Sequence, residues 1–303
     1  MIKRHILFII LVICLNNNSL AQQKLPVSDE TGKVVYEKAF DQKGKLVWGL
    51  VYSPSLTHQL THAHYVGEDG YPKPQRYSQA EFVEFSYSPQ GDESIVRYFD
   101  RQHHPQPGLE GAVIIKKQFD YRGLTTEEAY FDATDQPMLS KQGYHKVTFK
   151  FDERGNLIET AYFGLDNQPT LLKEGYYKRT AKFDKRDNQI ETAFFGLDNQ
   201  PTLHENGCHK WTSKFDERGN QIETAYFGLD NQPTLHKDGH HKITTKFDER
   251  SNPIEVACFG LDNQPILLKE GYHKITLKFD EQNNLIERTF FDPNGQVVSP
   301  KNR

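Results

Sequence analysis

From residue 87 to residue 292, short runs of alternating apolar and polar side chains are broken by clusters of Asp, Asn, Gly and Pro. Residues 145–151 read His-Lys-Val-Thr-Phe-Lys-Phe, the two-residue period of a half-buried strand. Asp152-Glu153-Arg154-Gly155-Asn156 predicts a turn, because Asp and Asn bond to nearby backbone and Gly accepts a positive φ. Residues 157–163 predict a second strand, and the two strands predict a β-hairpin. Gly164-Leu165-Asp166-Asn167-Gln168-Pro169 predicts another turn. Residues 170–176 then return the chain, as a short strand or as one helical turn.

The register of the hairpin follows from its pairing partners. A loop over Glu153 to Asn156 sets Phe151 against Ile158, Phe149 against Thr160 and Val147 against Tyr162 on one face. On the other face it sets Lys150 against Glu159, Thr148 against Ala161 and Lys146 against Phe163. A loop one residue shorter would oppose Lys150 and Ile158, a poorer cross-strand pair.

This pattern recurs at a strict interval of 32 residues. Phe-Asp begins at Phe119, Phe151, Phe183, Phe215, Phe247 and Phe279. The Lys150–Glu159 pair returns as Lys182–Glu191, Lys214–Glu223, Lys246–Glu255 and Lys278–Glu287. A lone hairpin is unstable in water, whereas stacked hairpins bury a continuous apolar strip. The expected fold is therefore all-β: an elongated, twisted antiparallel meander or β-solenoid of 32-residue hairpin repeats over residues 87–292. Residues 22–86 echo the pattern loosely, in Phe40-Asp41-Gln42-Lys43-Gly44 and Glu68-Asp69-Gly70-Tyr71-Pro72. They predict degenerate N-terminal repeats acting as a cap, as terminal repeats often do. Residues 293–303 predict a short polar tail.

Composition agrees with thin β-structure: 20 Phe and 15 Tyr against a mean hydropathy of −0.74. The net charge of −4 is spread along the chain without a basic block, which argues against a nucleic-acid partner. Residues 1–21 fall outside the pattern. Lys3, Arg4 and His5 precede an apolar run to Leu15, and Ser19-Leu20-Ala21 offers small residues at a cleavage point. This predicts a secretory signal peptide, with a lipoprotein signal ending at Cys14 as the alternative. No second apolar run follows, so no transmembrane segment is expected in the mature chain. Cys208 and Cys258 then remain, and both read as substituted packing positions.

Phe-Asp-Glu-Arg-Gly-Asn-Leu-Ile-Glu followed by an aromatic strand resembles the bacterial YD or RHS-type repeat over about residues 87–292. The units here are longer than that family's usual spacing, and Phe replaces Tyr. The resemblance implies a bacterial, surface or secreted hairpin-repeat protein.

Candidate chemistry is sparse. His145, His209, His241 and His273 share one repeat phase, which Tyr177 fills in another copy. His236, His240 and His241 offer a conceivable metal set, since imidazole suits zinc or copper, but histidines copied by repeat duplication are the preferred reading. No metal, cofactor or catalytic residue is expected, because in-phase copies do not supply convergent, unlike groups. The positions that vary within the constant frame are the informative ones: Val147, Arg179, Trp211, Ile243 and Ile275 at one, Phe149, Ala181, Ser213, Thr245 and Leu277 at another. Tyr176, Tyr177, Arg179 and Trp211 form the candidate ligand-contact strip. The expected role is a non-enzymatic binding or scaffold module of the bacterial envelope, with a protein or polysaccharide partner. Two alternatives stand beside it. One is an immunity, antitoxin or toxin-accessory protein of an RHS-like system. The other is an enzyme whose site draws on Trp48, His58, His62, His64 and Glu68.

Overall fold

The computed structural model describes residues 35–40, 46–54, 60–66 and 79–300. The expected signal peptide, His58 and Glu68 lie outside these residues. Two compact units divide the chain: Met1–Thr148 with Phe163–Gln168, and Phe149–Tyr162 with Pro169–Arg303.

In the first unit, β1 (Val35–Phe40), β2 (Leu46–Pro54), β3 (Leu60–Val66), β4 (Phe82–Tyr87), β5 (Glu93–Phe99), β6 (Ile114–Phe119), β7 (Thr125–Phe131) and the start of β8 (Lys146–Phe151) pair in chain order, all antiparallel. A single 3-10 turn, Leu109–Gly111, interrupts them. The second unit continues with β9 (Leu157–Phe163), β10 (Lys178–Phe183), β11 (Gln189–Phe195), β12 (Lys210–Phe215), β13 (Gln221–Phe227), β14 (Lys242–Phe247), β15 (Pro253–Phe259), β16 (Lys274–Phe279), β17 (Leu285–Phe291) and β18 (Val297–Val298). These too pair with their chain neighbours, antiparallel throughout. Each unit is an open meander of hairpins, so of the two expected architectures the meander is the one formed. No helix among the described residues is long and apolar enough to cross a membrane.

The hairpin register follows the expected pairing until its last rung. Lys178 opposes Phe195, Thr180 opposes Ala193 and Lys182 opposes Glu191, with the same rungs in the three following hairpins. The departure is at the turn. Phe183 pairs with Gln189, not Ile190, because a β-bulge lies between Lys182 and Phe183. The turn therefore spans five residues, and the extra residue, Ile190, goes unpaired. The same bulge sits before Phe119 and before Phe40.

The turn explains the five residues. Asp216 Oδ1 accepts hydrogen bonds from the Arg218 N–H at 2.9 Å and the Asn220 N–H at 2.8 Å, while Asp216 Oδ2 accepts from Asn220 Nδ2 at 2.9 Å. Gly219 adopts a φ of +82°, which an L side chain resists. Successive turns are laced together: Arg186 Nη1 donates to the Glu217 carbonyl at 2.8 Å and Arg250 Nη1 to that of Glu281 at 2.9 Å.

One sheet face is polar but tightly covered. Lys182, Lys214, Lys246 and Lys278 each lie 2.6–2.8 Å from their glutamates. Each also-repeated first-rung lysine lies over the facing Phe ring: Lys210 is 5.3 Å from the Phe227 centroid and Lys242 is 5.1 Å from that of Phe259. The small Ala193, Ala225 and Ala257 are buried between these stems, which cover apolar surface while keeping their charges in water. The opposite face carries Ala181, Ser213, Thr245 and Leu277, all buried, in the variable column read from the sequence.

Candidate ligand-contact strip

The return segment after each second strand decides what meets on the apolar face. After β11 the chain turns at Gly196, and Pro201 bridges back to Phe195. The Phe194 carbonyl accepts the Thr202 N–H at 3.1 Å, and the Phe194 N–H donates to the His209 carbonyl at 3.0 Å. The return is thus neither a regular strand nor a helical turn: it pairs over a few atoms and then hands the strand edge to β12. The seam histidine fills the changeover. His209 Nδ1 lies 2.8 Å from the Phe194 carbonyl oxygen, and its ring stands edge-on to Phe195 at 5.6 Å. His241 and His273 repeat the contact at 2.8 and 2.7 Å from the carbonyls of Tyr226 and Cys258. These buried histidines are structural joints, each holding a carbonyl 15 residues upstream.

With the chain folded back this way, loop side chains pack onto the strand aromatics. Tyr176 lies 4.7 Å from the Phe194 ring and 6.2 Å from that of Tyr162, bridging two successive repeats. His204 lies 4.6 Å from Phe194, and Trp211 lies 5.0 Å from Phe194 and 6.0 Å from His204. Arg179 is paired across the sheet with Phe194 on one side and Thr160 on the other. Burial pushes the Tyr176 hydroxyl up to about 12; Tyr162 reinforces this and the nearby Arg179 opposes it. Three of the four expected strip residues, Tyr176, Arg179 and Trp211, therefore gather around one ring, Phe194, and all three stay partly exposed. Tyr177 does not join them. It takes the seam position, and its hydroxyl donates to Asn199 Oδ1 at 3.2 Å.

The next repeat replaces this set with imidazoles. His236 and His240 stack at 5.0 Å, and both pack on Tyr226, at 4.9 and 5.5 Å. His240 is buried, and neither ring nitrogen has a hydrogen-bond partner. Burial, and then the His236 ring, push it down to about 4. His241 points its Nδ1 at the Tyr226 carbonyl instead, so His236, His240 and His241 do not converge. Among the described residues no three His, Cys, Asp or Glu side chains meet as a metal ion would need. Cys208 and Cys258 are free and buried, and burial pushes their thiols up to about 11 and about 12. Thiols held protonated in this way are poor nucleophiles.

Of the N-terminal residues, Trp48 and His62 sit apart on the β2–β3 ladder. Ser53 pairs with His62 and Gly49 with Val66, so Trp48 is five residues along from the His62 rung, about 17 Å at strand rise. The anchors of the strip, Phe194 and Tyr226, escape a reading of the sequence because they look like ordinary strand aromatics. Their column, Tyr130, Tyr162, Phe194, Tyr226, Cys258 and Phe290, carries the available signal: it varies while the following Phe does not.

No family model matches the chain, and none of the curated proteins matches it. Among solved structures the chain is similar to TcdB2-TccC3-TEV, with a TM-score of 0.31 and 11% identity over 88% of this chain and 15% of that one. It is similar to TcdB2-TccC3 without its hypervariable C-terminal region, at 0.25 and 11% over 88% and 18%. A porin-like protein from Bacteroides uniformis gives 0.25 and 8% over 85% and 88%. The chain thus spans under a fifth of the first two proteins. At scores this low none of these likenesses carries an argument about what the chain does. The repeat itself is an antiparallel hairpin closed by an Asp-x-x-Gly-Asn turn, the sequence pattern that resembles the YD/RHS-type unit.

Proposed function

We propose that this chain is an exported, non-enzymatic binding or scaffold module of the bacterial envelope. One observation carries the reading: the frame is copied from repeat to repeat while the residues gathered around Phe194 and Tyr226 are not. The turn aspartates, Lys–Glu rungs and seam histidines recur because each closes the same hydrogen bonds. At the strip, Tyr176 gives way to Cys208 and His240, and Arg179 to Trp211 and Ile243. A constant scaffold with local variation at a partly exposed aromatic strip suits recognition, where Tyr, Trp and Arg side chains bind most effectively. The signal-like residues 1–21 support export.

The test is a crosslinking pull-down from the source envelope with tagged mature chain, residues 22–303, reading out bound protein and bound glycan. Heat-denatured bait and an Arg179→Ala/Trp211→Ala bait serve as controls. A partner captured by the folded bait and lost with the double variant supports the reading. Capture that is equal with the denatured bait, or no capture at all, sinks it.

A further inference from the structure

Arg179 breaks the pattern of its own column. The equivalent positions in other copies hold Val147, Trp211, Ile243 and Ile275. Val147 and Ile275 are buried, at 3% and 2% exposure, whereas Arg179, Trp211 and Ile243 are partly exposed. Arg179 thus sets a permanent charge in an apolar column at a point where that column meets solvent. Its rung partners, Thr160 on one side and Phe194 on the other, place it on the apolar face.

The guanidinium is unpaired among the described residues. Every other partly buried Lys or Arg described makes an ion pair or a hydrogen bond. The first-rung lysines take a glutamate or an asparagine, Lys116, Lys117 and Arg122 take Asp135, Glu128 and Asp120, and Arg97 takes Ser86. Arg179 makes neither bond and lies over no aromatic ring. Close to it the Tyr162 and Tyr176 hydroxyls are hydrogen-bonded to each other; burial pushes both up, and the Arg179 charge opposes this. Glu174 acts on the same two hydroxyls with the opposite sign, yet it forms no ion pair with Arg179. A partly desolvated charge without a partner costs free energy, and apolar residues serve the fold at this position in the other copies. Such a local departure from the frame is expected where a side chain is kept for a ligand.

We propose that Arg179 anchors a protein partner by taking the carboxylate of an Asp or Glu side chain. This rests on the reading of the chain as a binding module and names what the strip binds. The planar guanidinium matches a carboxylate through two parallel N–H···O bonds. Ring geometry selects a protein over a sugar. Tyr176 is tilted by 58° and Trp211 by 52° on Phe194, and His204 stands at 89° to Trp211. Phe194 itself is 1% exposed. Rings packed on one another in this way do not form the open, flat row on which sugar rings stack. Arg, Trp and Tyr gathered in one partly desolvated cluster are instead the composition of a protein hot spot.

Panning a phage-displayed random peptide library on the full chain tests this, beside an Arg179→Ile bait. Ile243 and Ile275 occupy the equivalent position, so the variant should fold, which a thermal melt checks. The expected result is enrichment of peptides with Asp or Glu next to an apolar or aromatic residue, and loss of the acidic preference with the Arg179→Ile bait. In titration calorimetry the best peptide should bind the variant about thirtyfold more weakly, and its amide form, Gln for Glu or Asn for Asp, should bind the unaltered chain about as weakly. Both changes together should cost little more than either alone. If Arg179→Ile fails to fold, Arg179→Lys decides, with an expected loss of about tenfold. The proposal is overturned by no enriched peptide, by acidic peptides that bind the folded variant equally, or by Arg179-dependent binding of oligogalacturonate in place of peptides, which would assign the site to an acidic sugar. An envelope partner lost with the Arg179→Ala/Trp211→Ala bait, without any acidic preference among peptides, sinks this inference alone. Acidic peptides selected through Arg179 while the envelope yields no capture support the site and sink the envelope reading.

Discussion

His209 Nδ1 sits 2.8 Å from the carbonyl oxygen of Phe194, a group that also accepts the Thr202 N–H at 3.1 Å. One imidazole thus closes the point where a strand edge passes from the return segment to the next hairpin. To hold that carbonyl the ring must donate from Nδ1, so the neutral ring carries its proton there.

Replacing the joint should cost stability in proportion to what the substitute restores. In His209→Ala the carbonyl keeps Thr202 but the ring contact to Phe195 and a buried bond are lost. The expected cost is about 2 kcal/mol. His209→Tyr should cost less than about 1 kcal/mol, because Tyr177 already occupies this position in another copy. Urea denaturation midpoints of the two variants check the order.

His240 should make the second unit pH-dependent. Its folded value of about 4 lies below the ordinary 6.5, so the unfolded chain takes up the proton first. The stability it contributes is complete above about pH 6.5 and is lost as pH falls toward 4. Between pH 7 and pH 5 the loss is at most roughly 2 kcal/mol. His240→Tyr, which installs the residue found at Tyr176 and Tyr272, should be more stable and should flatten this slope. An unchanged slope in the variant would contradict the assignment.

A separate acid limb belongs to the turns. Bonds from Asn188 and Asn252 hold the carboxyls of Asp184 and Asp248 below the ordinary Asp range; Asp216 is held down likewise by Asn220, against burial. Their folded values being lowered, the stabilisation is full above the ordinary value near 4 and disappears as pH falls through the lowered values. The triple variant Asp184→Asn/Asp216→Asn/Asp248→Asn should be less stable at neutral pH yet lose less on acidification. Thermal melts from pH 6 to pH 2 would show it.

Gly108 in the first unit tolerates no side chain. A Cβ there would lie 2.3 Å from the Tyr98 ring, which is itself buried. Gly108→Ala should destabilise by about 3 kcal/mol through overpacking. Tyr98→Ala in the same chain should recover part of that loss, which a double-mutant cycle would register.

The 32-residue period, the two strands per copy and the Lys–Glu rungs were legible because strand alternation and cross-strand charge pairing are short-range rules. Phe183 shows the limit. Its pairing with Gln189 follows from the three-bond Asp184 cap that widens the turn, and two apolar residues, Phe183 and Ile190, look like the better pair in one dimension. Arg179 and Trp211 are legible as variable positions, whereas Phe194, the ring that joins them to Tyr176, is not. Tyr177 does not join them, because neighbouring residues of an extended chain point to opposite sides.

By itself, then, the sequence determined the all-β repeat, its phase, and which positions are frame and which vary, since each is written in spacing along one chain. Only the tertiary structure decided that the return segment doubles back on the strand it has just left, because that choice rests on hydrogen bonds between Thr202, Phe194 and His209, whose partners are set by three-dimensional proximity. The same fold sorted the leucines of one short segment, turning Leu171 to water and Leu172 to the core, a distinction of side-chain direction that two adjacent identical letters cannot carry.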